Sequence, residues 1–193
     1  MDKLTVARTA KEARLRQRAV VVWFYGLSGA GKSTLALGLD ERLTSAGFFT
    51  TLLDGDAMRQ GLSRGLGFSD ADRAENLRRA AETARLFLQN GVITLGAFIS
   101  PLRVHRALVR EIIGPADLIE VYVSASFATC AQRDTKGLYA RAASGSVRQF
   151  TGKDSGFEVP GPEESPLAID SERQSVAACL DQLWARVQPC ITL

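Results

Sequence analysis

Residues 20–34 of the chain read VVVWFYGLSGAGKST, an apolar run followed by the pattern Gly-x-x-x-x-Gly-Lys-Ser. Between a buried strand and a helix, this pattern is typical of a loop that binds the phosphates of a nucleoside triphosphate. Its glycines let backbone N–H groups face an anion, and a helix beginning near Lys32 adds the positive end of its dipole. The sequence therefore predicts a nucleotide site at this point of the chain.

Two side chains at the end of the loop have expected roles. We expect Lys32 to reach the β- and γ-phosphates and the Ser33 hydroxyl to be a Mg²⁺ ligand. The candidate nucleotide-contacting residues are Gly26, Leu27, Ser28, Gly29, Ala30, Gly31, Lys32, Ser33 and Thr34.

Working outward from the loop, short β-branched or aromatic runs alternate with longer helical patterns, which favours an α/β fold. We predict a P-loop NTPase-type, three-layer fold with a central, mostly parallel five-stranded sheet flanked by helices. Strands are expected at about 19–25, 49–53, 92–98, 118–123 and 167–169. Helices are expected at about 32–46, 70–90, 101–113 and 127–133, and from Ser171 onward.

The predicted organisation is a basic N-terminal arm or exposed helix over residues 1–18, then a single kinase domain over 19–193. Within that domain, residues 136–165 are rich in Gly, Ser and charge and lack a core-facing period. We interpret them as a mobile lid with some helix near Tyr139, since lids exclude water from a reactive γ-phosphate.

Composition and charge exclude several classes of protein. The net charge of +3 divides into +4 for residues 1–18 and −1 for the remainder, which is not the pattern of a nucleic-acid binder. The apolar runs are far shorter than the ~20 residues of a membrane-spanning helix, and the N-terminus lacks a signal-peptide core. The three cysteines show no metal-ligand spacing. We therefore expect a cytoplasmic protein without membrane or nucleic-acid partners.

Two acidic residues follow the second predicted strand, in Leu52-Leu53-Asp54-Gly55-Asp56. Either carboxylate could orient Mg²⁺-bound water or accept the proton of an acceptor hydroxyl, and either could belong to an ordinary Asp-Gly turn. The guanine-recognition pattern Asn-Lys-x-Asp is absent from the sequence, which counts against a GTPase. The chain length favours a small-molecule kinase.

Beyond the phosphate-binding loop, the sequence resembles the adenylylsulfate kinase (APS kinase) family over about residues 20–170. The matching blocks are GLSGAGKST (26–34), LDGDAMRQGL (53–62), GLGFSDADRAENLRR (65–79), AFISPLR (97–103), CAQRDTKGLY (130–139) and FTGKDSGFE (150–158). The resemblance implies transfer of the ATP γ-phosphoryl group to the 3′-hydroxyl of adenosine 5′-phosphosulfate. The product would be 3′-phosphoadenylylsulfate, and the reaction would belong to sulfate assimilation.

The resemblance also implies roles for individual residues. The implied catalytic residues are Lys32, Asp56 and Ser100, and Arg133 is implied on the ATP side. The implied adenylylsulfate-binding residues are Arg59, Phe68, Arg73, Asn76, Ile99, Ser100, Lys136, Gly137, Leu138 and Phe157.

Several of these residues also have simpler interpretations. Arg73 and Asn76 lie at i and i+3 on one helix face, which a solvated face would also explain. Phe68 and Phe157 would sandwich an adenine, or would be lid or core aromatics. A serine equivalent to Ser100 is often described as a phosphoserine intermediate, but no adjacent base is evident and direct in-line transfer needs none.

The sequence departs from the family pattern at Ala57, at Thr135 and at His105, where Asn, Pro and Asp are common. Ala57 and His105 lie near the expected acceptor site. We expect His105, the only histidine, to be a surface residue of a helix rather than a general base.

Two alternative functions remain open from the sequence. One is a kinase for another small hydroxyl acceptor. The set of Phe68, Arg73, Asn76 and Phe157 argues against it, because a sugar acid offers no ring to stack. The other is a non-catalytic nucleotide-sensing domain, against which the intact Lys32, Ser33 and Asp56 argue. The resemblance further implies a homodimer and a possible association with ATP sulfurylase.

Overall fold

The computed structural model describes residues 6–134, 137–143 and 156–193, and it contains a five-stranded sheet. The strands are β1 (Val21–Tyr25), β2 (Thr50–Asp54), β3 (Ile93–Ala97), β4 (Leu118–Ser124) and β5 (Leu167–Asp170). Their spatial order is β2-β3-β1-β4-β5, and every neighbouring pair is parallel.

Helices connect the strands and cover both faces of the sheet. They are α1 (Arg8–Leu15), α2 (Lys32–Ser45), α3 (Gly55–Gln60), α4 (Asp70–Gln89), α5 (Arg103–Ile113), α6 (Phe127–Arg133), α7 (Leu138–Ala143) and α8 (Val176–Ile191). The three-layer α/β fold predicted from the alternating pattern is confirmed.

Strand β1 lies at the centre of the sheet, and all five of its residues are buried. Val22 and Phe24 face a hydrophobic cluster formed with α2 and α8, whereas Val21, Trp23 and Tyr25 face a second cluster formed with α4 and α5. Successive side chains of a strand point to opposite faces, so this strand has to be apolar throughout. The loop after β1 is therefore held by a strand that is packed on both sides.

The sequence predicted an exposed N-terminal arm or helix. In the structure, helix α1 is attached to the body of the protein. Arg8 donates to both carboxylate oxygens of Asp117 at 2.6 and 2.9 Å, and Glu12 accepts from the Ala19 N–H at 2.8 Å. The Arg8 hydrogen bond is the main reason that the pKa of Asp117 lies below its usual value. Gln17 is fully buried and binds backbone groups of Phe49 and Gly91. Arg8 and Glu12 therefore attach the helix to the chain at Asp117 and Ala19.

The last helix begins later than predicted. Its N-cap is Ser175, whose hydroxyl accepts from the Ala178 N–H at 3.2 Å, so the expected start at Ser171 is wrong. The reason is that the Ser171 hydroxyl is engaged elsewhere and donates to the Ala30 carbonyl oxygen at 2.6 Å.

Part of the predicted lid region, residues 136–165, falls within the described structure. Helix α7 confirms the helix expected near Tyr139, whereas residues 135–136 and 144–155 lie outside the described residues. In the part of this region described from residue 156 onward, Glu164 is buried against Arg106. Among the described residues, no helix is long and apolar enough to cross a membrane.

Candidate active site

A cavity of about 700 Å³ opens where the carboxyl ends of the parallel strands meet the N-terminus of α2. This edge of an open α/β sheet is where ligands generally bind. The cavity is continuous from the phosphate loop to α4. The predicted site residues that line it are Ser28, Gly29, Ala30, Gly31, Lys32, Ser33, Thr34, Asp56, Arg59, Phe68, Arg73, Asn76, Ile99, Ser100, Arg133 and Leu138.

The phosphate loop requires glycine at two closely packed positions. A Cβ atom on Gly26 would collide with the Val123 carbonyl oxygen, and one on Gly29 would lie 2.9 Å from the Cys130 carbonyl oxygen. Gly29 also has a φ of +77°, which L-residues with side chains rarely adopt. The loop therefore runs directly against β4 and α6.

Lys32 and Ser33, the first residues of α2, carry the polar groups of the nucleotide end. Lys32 is buried, and its Nζ donates to the Leu27 carbonyl oxygen at 2.7 Å. The Ser33 hydroxyl donates to Asp54 Oδ2 at 2.7 Å, and Asp54 Oδ1 accepts from the Asp56 N–H at 2.9 Å. Both carboxylates that the sequence left open thus lie at the cavity, and Asp54 is the one joined to the loop.

The opposite end of the cavity is formed by two arginines and an aromatic ring. Arg59 donates to the Gly67 carbonyl oxygen at 2.6 Å, and its guanidinium lies 4.5 Å from the ring centroid of Phe68. Arg73 donates from Nε to the Phe68 carbonyl oxygen at 2.9 Å. Burial is the first cause that lowers the pKa of each guanidinium, and both remain cationic at neutral pH. Phe68 is 57% exposed even though the Arg59 guanidinium lies over its ring.

Arg73 and Asn76 lie on the buried face of α4 and not on a solvated face. Asn76 is 5% exposed, and its Oδ1 atom has no hydrogen-bond partner among the described residues. A buried amide oxygen without a donor is costly unless a ligand or water supplies one. The cavity therefore presents cations and a hydrogen-bond acceptor at the same end.

The segment Ile99–Pro101 forms the cavity wall between the two ends. Ser100 is buried, has a left-handed φ of +41°, and accepts from Trp23 Nε1 at 3.0 Å through its hydroxyl. Its carbonyl oxygen accepts from Arg106 at 3.1 Å. The Ser100 hydroxyl is thus held by the core, although the residue itself lines the cavity.

Not every predicted residue lies at the cavity. Phe157 stacks on Tyr122 with ring centroids 6.1 Å apart and is not among the cavity-lining residues. Gly26, Leu27 and Gly137 are also outside the lining, and Lys136 lies outside the described residues. Arg133 lines the cavity, but it donates to the backbone oxygens of Gly29 at 3.3 Å and Ser171 at 2.7 Å.

The expectation that His105 is a surface residue is wrong. Its side chain is only 4% exposed, and its Nδ1 atom has no partner among the described residues. Burial is the first cause that lowers its pKa, so the imidazole is neutral at physiological pH. The helical pattern placed it correctly on α5 but did not show that this face of α5 packs under the cavity wall.

Sequence reasoning missed the ion pair that supports this wall. Arg106 and Glu164 are both almost fully buried and form two hydrogen bonds of 2.7 and 2.8 Å. Arg106 also donates to the carbonyl oxygens of Ser100 and Pro101. No local pattern could have indicated the pair, because its members are 58 residues apart and Glu164 lies in a stretch without periodicity.

A strand, a phosphate loop and a helix beneath a two-ended cavity define a P-loop phosphotransferase that acts on a small molecule. The chain belongs to the adenylylsulphate kinase family, whose model matches residues 18–170. An adenylyl-sulfate kinase of Bacteroides fragilis is 43% identical over 187 residues, which cover 97% of this chain and 92% of that protein.

Solved structures of similar proteins agree with this membership. The Mycobacterium tuberculosis APS kinase CysC, in complex with AMPPNP and APS, is 40% identical with a TM-score of 0.84, covering 89% of this chain and 98% of that one. A hexameric APS kinase from Thiobacillus denitrificans is 33% identical with a TM-score of 0.66, covering 90% of this chain and 29% of that one.

Proposed function

We infer that this protein is an ATP-dependent adenylylsulfate kinase. It transfers the γ-phosphoryl group of ATP to the 3′-hydroxyl of adenosine 5′-phosphosulfate and releases ADP and 3′-phosphoadenylylsulfate. The observation that carries the inference is the single cavity with a phosphate loop at one end and Arg59, Arg73 and Asn76 at the other. Such a cavity lets a donor and an anionic acceptor meet, which positions the reacting groups.

At the donor end, we propose that residues 26–34 hold the phosphates through backbone N–H groups and that Lys32 contacts the β- and γ-phosphates. Lys32 would then exchange its hydrogen bond to Leu27 for the phosphate oxygens. In the described structure the acidic and thiol side chains form no metal-binding cluster of three or more. Mg²⁺ nevertheless fits here, because it typically takes one or two protein oxygens beside water and phosphate.

The oxygens proposed for Mg²⁺ are those of Ser33 and Asp54, which already lie 2.7 Å apart. Ser33 would be the direct ligand, and the Asp54 carboxylate would orient metal-bound water. When bound, the ion neutralises charge that develops on the β- and γ-phosphate oxygens.

At the point of transfer, the acceptor 3′-oxygen forms a bond to the γ-phosphorus while the bond to the β,γ-bridging oxygen breaks. We propose that the Asp56 carboxylate accepts the proton of the 3′-hydroxyl. Asp56 lies at the N-terminus of α3 on the cavity wall, next to Asp54. Lys32 stabilises the charge that moves to the leaving ADP.

At the acceptor end, we propose that Arg59 and Arg73 hold the phosphosulfate and that Asn76 Oδ1 receives a hydrogen bond from the ligand. Phe68 would stack on the adenine, an interaction of about 1–3 kcal/mol per base. We propose Phe157 for the second face of the ring, which requires it to move away from Tyr122.

Further acceptor contacts are proposed from two other segments. Lys136, Gly137 and Leu138, at the start of the proposed lid region 136–165, would contact the ligand, and Ile99 and Ser100 would contact it through the backbone. We do not assign a phosphoserine at Ser100, since its hydroxyl is bound to Trp23 inside the core. Arg133 is proposed on the ATP side.

A direct assay tests the proposed function. The protein is mixed with ATP, Mg²⁺ and adenylylsulfate, and ADP and the 3′-phosphorylated product are quantified. A parallel reaction with gluconate as acceptor tests for another hydroxyl substrate. Tight nucleotide binding without turnover of either acceptor would contradict the proposal and favour a nucleotide-sensing domain.

We also propose a single kinase domain, a cytoplasmic location and a homodimer, and we retain ATP sulfurylase as a candidate partner. The hexameric relative supports self-association in general. Sedimentation of the purified protein with and without nucleotide distinguishes a monomer, a dimer and a larger assembly, and adding an ATP sulfurylase to the same experiment tests that association.

A further inference from the structure

Three successive carbonyl groups of the phosphate loop are bound by side chains from outside the loop. The Tyr139 hydroxyl donates to the Ser28 carbonyl oxygen at 2.8 Å, and Arg133 donates to that of Gly29 at 3.3 Å. The Ser171 hydroxyl donates to the Ala30 carbonyl oxygen at 2.6 Å. The three donors come from α7, from α6 and from the segment after β5, so three separate parts of the chain converge on one loop.

Because the peptide bond is planar, the contacts to these carbonyl oxygens also fix the directions of the backbone N–H groups of the loop. In a trans peptide, the carbonyl oxygen of one residue and the N–H of the next point in opposite directions. Holding the oxygens of Ser28 and Ala30 toward the body therefore turns the N–H groups of Gly29 and Gly31 away from it. In the peptide between Gly29 and Ala30, the Ala30 N–H donates to the Leu27 carbonyl oxygen at 3.2 Å and closes a turn.

The glycines make this external support necessary. Gly29 and Gly31 have φ values of +77° and +98°, and a glycine chain samples many conformations when nothing restrains it. An anion-binding loop gains affinity when its N–H groups are oriented before the ligand arrives.

Two of the three side chains, those of Tyr139 and Ser171, are held in place by further contacts. Tyr139 is nearly buried, and its ring packs edge-on against Phe127 with centroids 5.2 Å apart. Burial raises the pKa of the Tyr139 hydroxyl well above its usual value, so it remains a donor across the physiological range. The Ser171 N–H is bound to the Ser124 carbonyl oxygen at 3.0 Å, which places its hydroxyl against the loop.

We propose that Tyr139, Arg133 and Ser171 form a clamp that orients the phosphate loop for the donor nucleotide. They act through the loop and are positioning residues for nucleotide binding. This inference deepens the proposed function. It rests on that function in one respect, because it takes the anion bound by the loop to be the phosphates of ATP or ADP.

The test removes single hydroxyl groups. Tyr139→Phe keeps the ring against Phe127, and Ser171→Ala removes only the oxygen. Each variant should raise the dissociation constant of Mg·ADP, measured by calorimetry, by about 3- to 10-fold, the range of one neutral hydrogen bond. The adenylylsulfate KM should stay within about twofold of that of the unmodified protein.

Tyr25→Phe is the matched control. Tyr25 ends the same strand that leads into the loop, but it lies on the opposite face of the sheet in the second cluster. Its buried hydroxyl has no partner among the described residues. The variant should leave the Mg·ADP dissociation constant unchanged.

The outcomes separate the clamp from the proposed function. A lowered melting temperature with an unchanged Mg·ADP constant in both hydroxyl variants would overturn the clamp, as would equal increases in the constants of both substrates. Because calorimetry needs no turnover, an unmodified protein that binds Mg·ADP but does not phosphorylate adenylylsulfate would contradict only the proposed function.

Discussion

The two ends of the cavity are built in different ways. At the proposed donor end, one contiguous segment, residues 28–34, lines the cavity, and it lies in the connection from the buried strand β1 into α2. At the proposed acceptor end, residues from α3, from the following loop and from α4 line the cavity, and the arginines among them bind loop carbonyl groups. The first end depends on backbone conformation and the second on which side chains meet.

This difference has a consequence for how each end responds to change. The donor loop is packed against β4 and α6 so closely that a Cβ at Gly26 or Gly29 does not fit. Phe68, by contrast, is mostly exposed, and Arg59 and Arg73 can exchange loop carbonyls for ligand oxygens. We therefore expect donor-end substitutions to reduce turnover and acceptor-end substitutions to raise the adenylylsulfate KM.

The largest effect is expected from Lys32→Ala at the donor end. Removing the cation that we propose to contact the transferring phosphoryl group should lower kcat by at least about 10²- to 10³-fold. Steady-state kinetics with saturating adenylylsulfate measures this loss. Lys11→Ala is the control, because Lys11 binds Asn90 on the surface. A near-normal kcat for Lys32→Ala would break the assignment of this end to the reacting phosphates.

The next effect is expected from Arg73→Ala at the acceptor end. Loss of a charged hydrogen bond should raise the adenylylsulfate KM by about 10- to 100-fold, while the Mg·ADP dissociation constant changes less than about twofold. Arg78→Ala on the same helix is the control, since Arg78 pairs with Glu75 at the surface. Equal weakening of both substrates would show that Arg73 is structural and that the two ends are not independent.

A smaller effect is expected from Glu164→Gln, which tests the wall between the two ends. Burial opposes ionisation of Glu164, but hydrogen bonds from Arg106 and Arg110 lower its pKa to about 2. The folded-state pKa is thus below the unfolded value, so this stabilisation is present above about pH 4.5 and is lost as the pH falls toward 2. The variant should unfold more easily in urea at pH 7 and lose less stability between pH 4.5 and 3.

The matched control for that experiment is Glu163→Gln, because Glu163 is exposed and lies 3.7 Å from Arg103. It should show the acid dependence of the unmodified protein. If Glu164→Gln showed the same acid dependence as well, the buried pair would not be the group that titrates. A several-fold rise in the adenylylsulfate KM of Glu164→Gln alone would link the pair to the acceptor wall.

The smallest effect on activity is expected from Ser100→Ala. Direct transfer does not use the hydroxyl, so kcat should stay within about tenfold of the original value. Stability should fall by about 1–3 kcal/mol, because Trp23 Nε1 loses its buried acceptor. Urea unfolding measures the second quantity. Mass-spectrometric detection of a phosphorylated Ser100 that forms and decays at the turnover rate would overturn direct transfer.

The elements near the phosphate loop show why so much of the fold could be predicted. Val21–Tyr25 is apolar at every position and is followed by a glycine pattern, so strand, loop and helix are all encoded within about 30 consecutive residues. The helix predicted at about 70–90 is confirmed as α4, and its start is equally local, because the Ser69 hydroxyl caps it by accepting from the Asp72 N–H. The start of α8 was predicted wrongly because both Ser171 and Ser175 are suitable caps, and only one is free of the phosphate loop.

The amino-acid sequence by itself determined the phosphate loop and the α/β class, because both depend on local spacing and on which residues are apolar. Only the tertiary structure decided that Asp54 meets Ser33, that His105 is buried, and that Tyr139 reaches Ser28 from 111 residues away. Those contacts depend on where strands and helices come together across the sheet, and no short stretch of sequence carries that information.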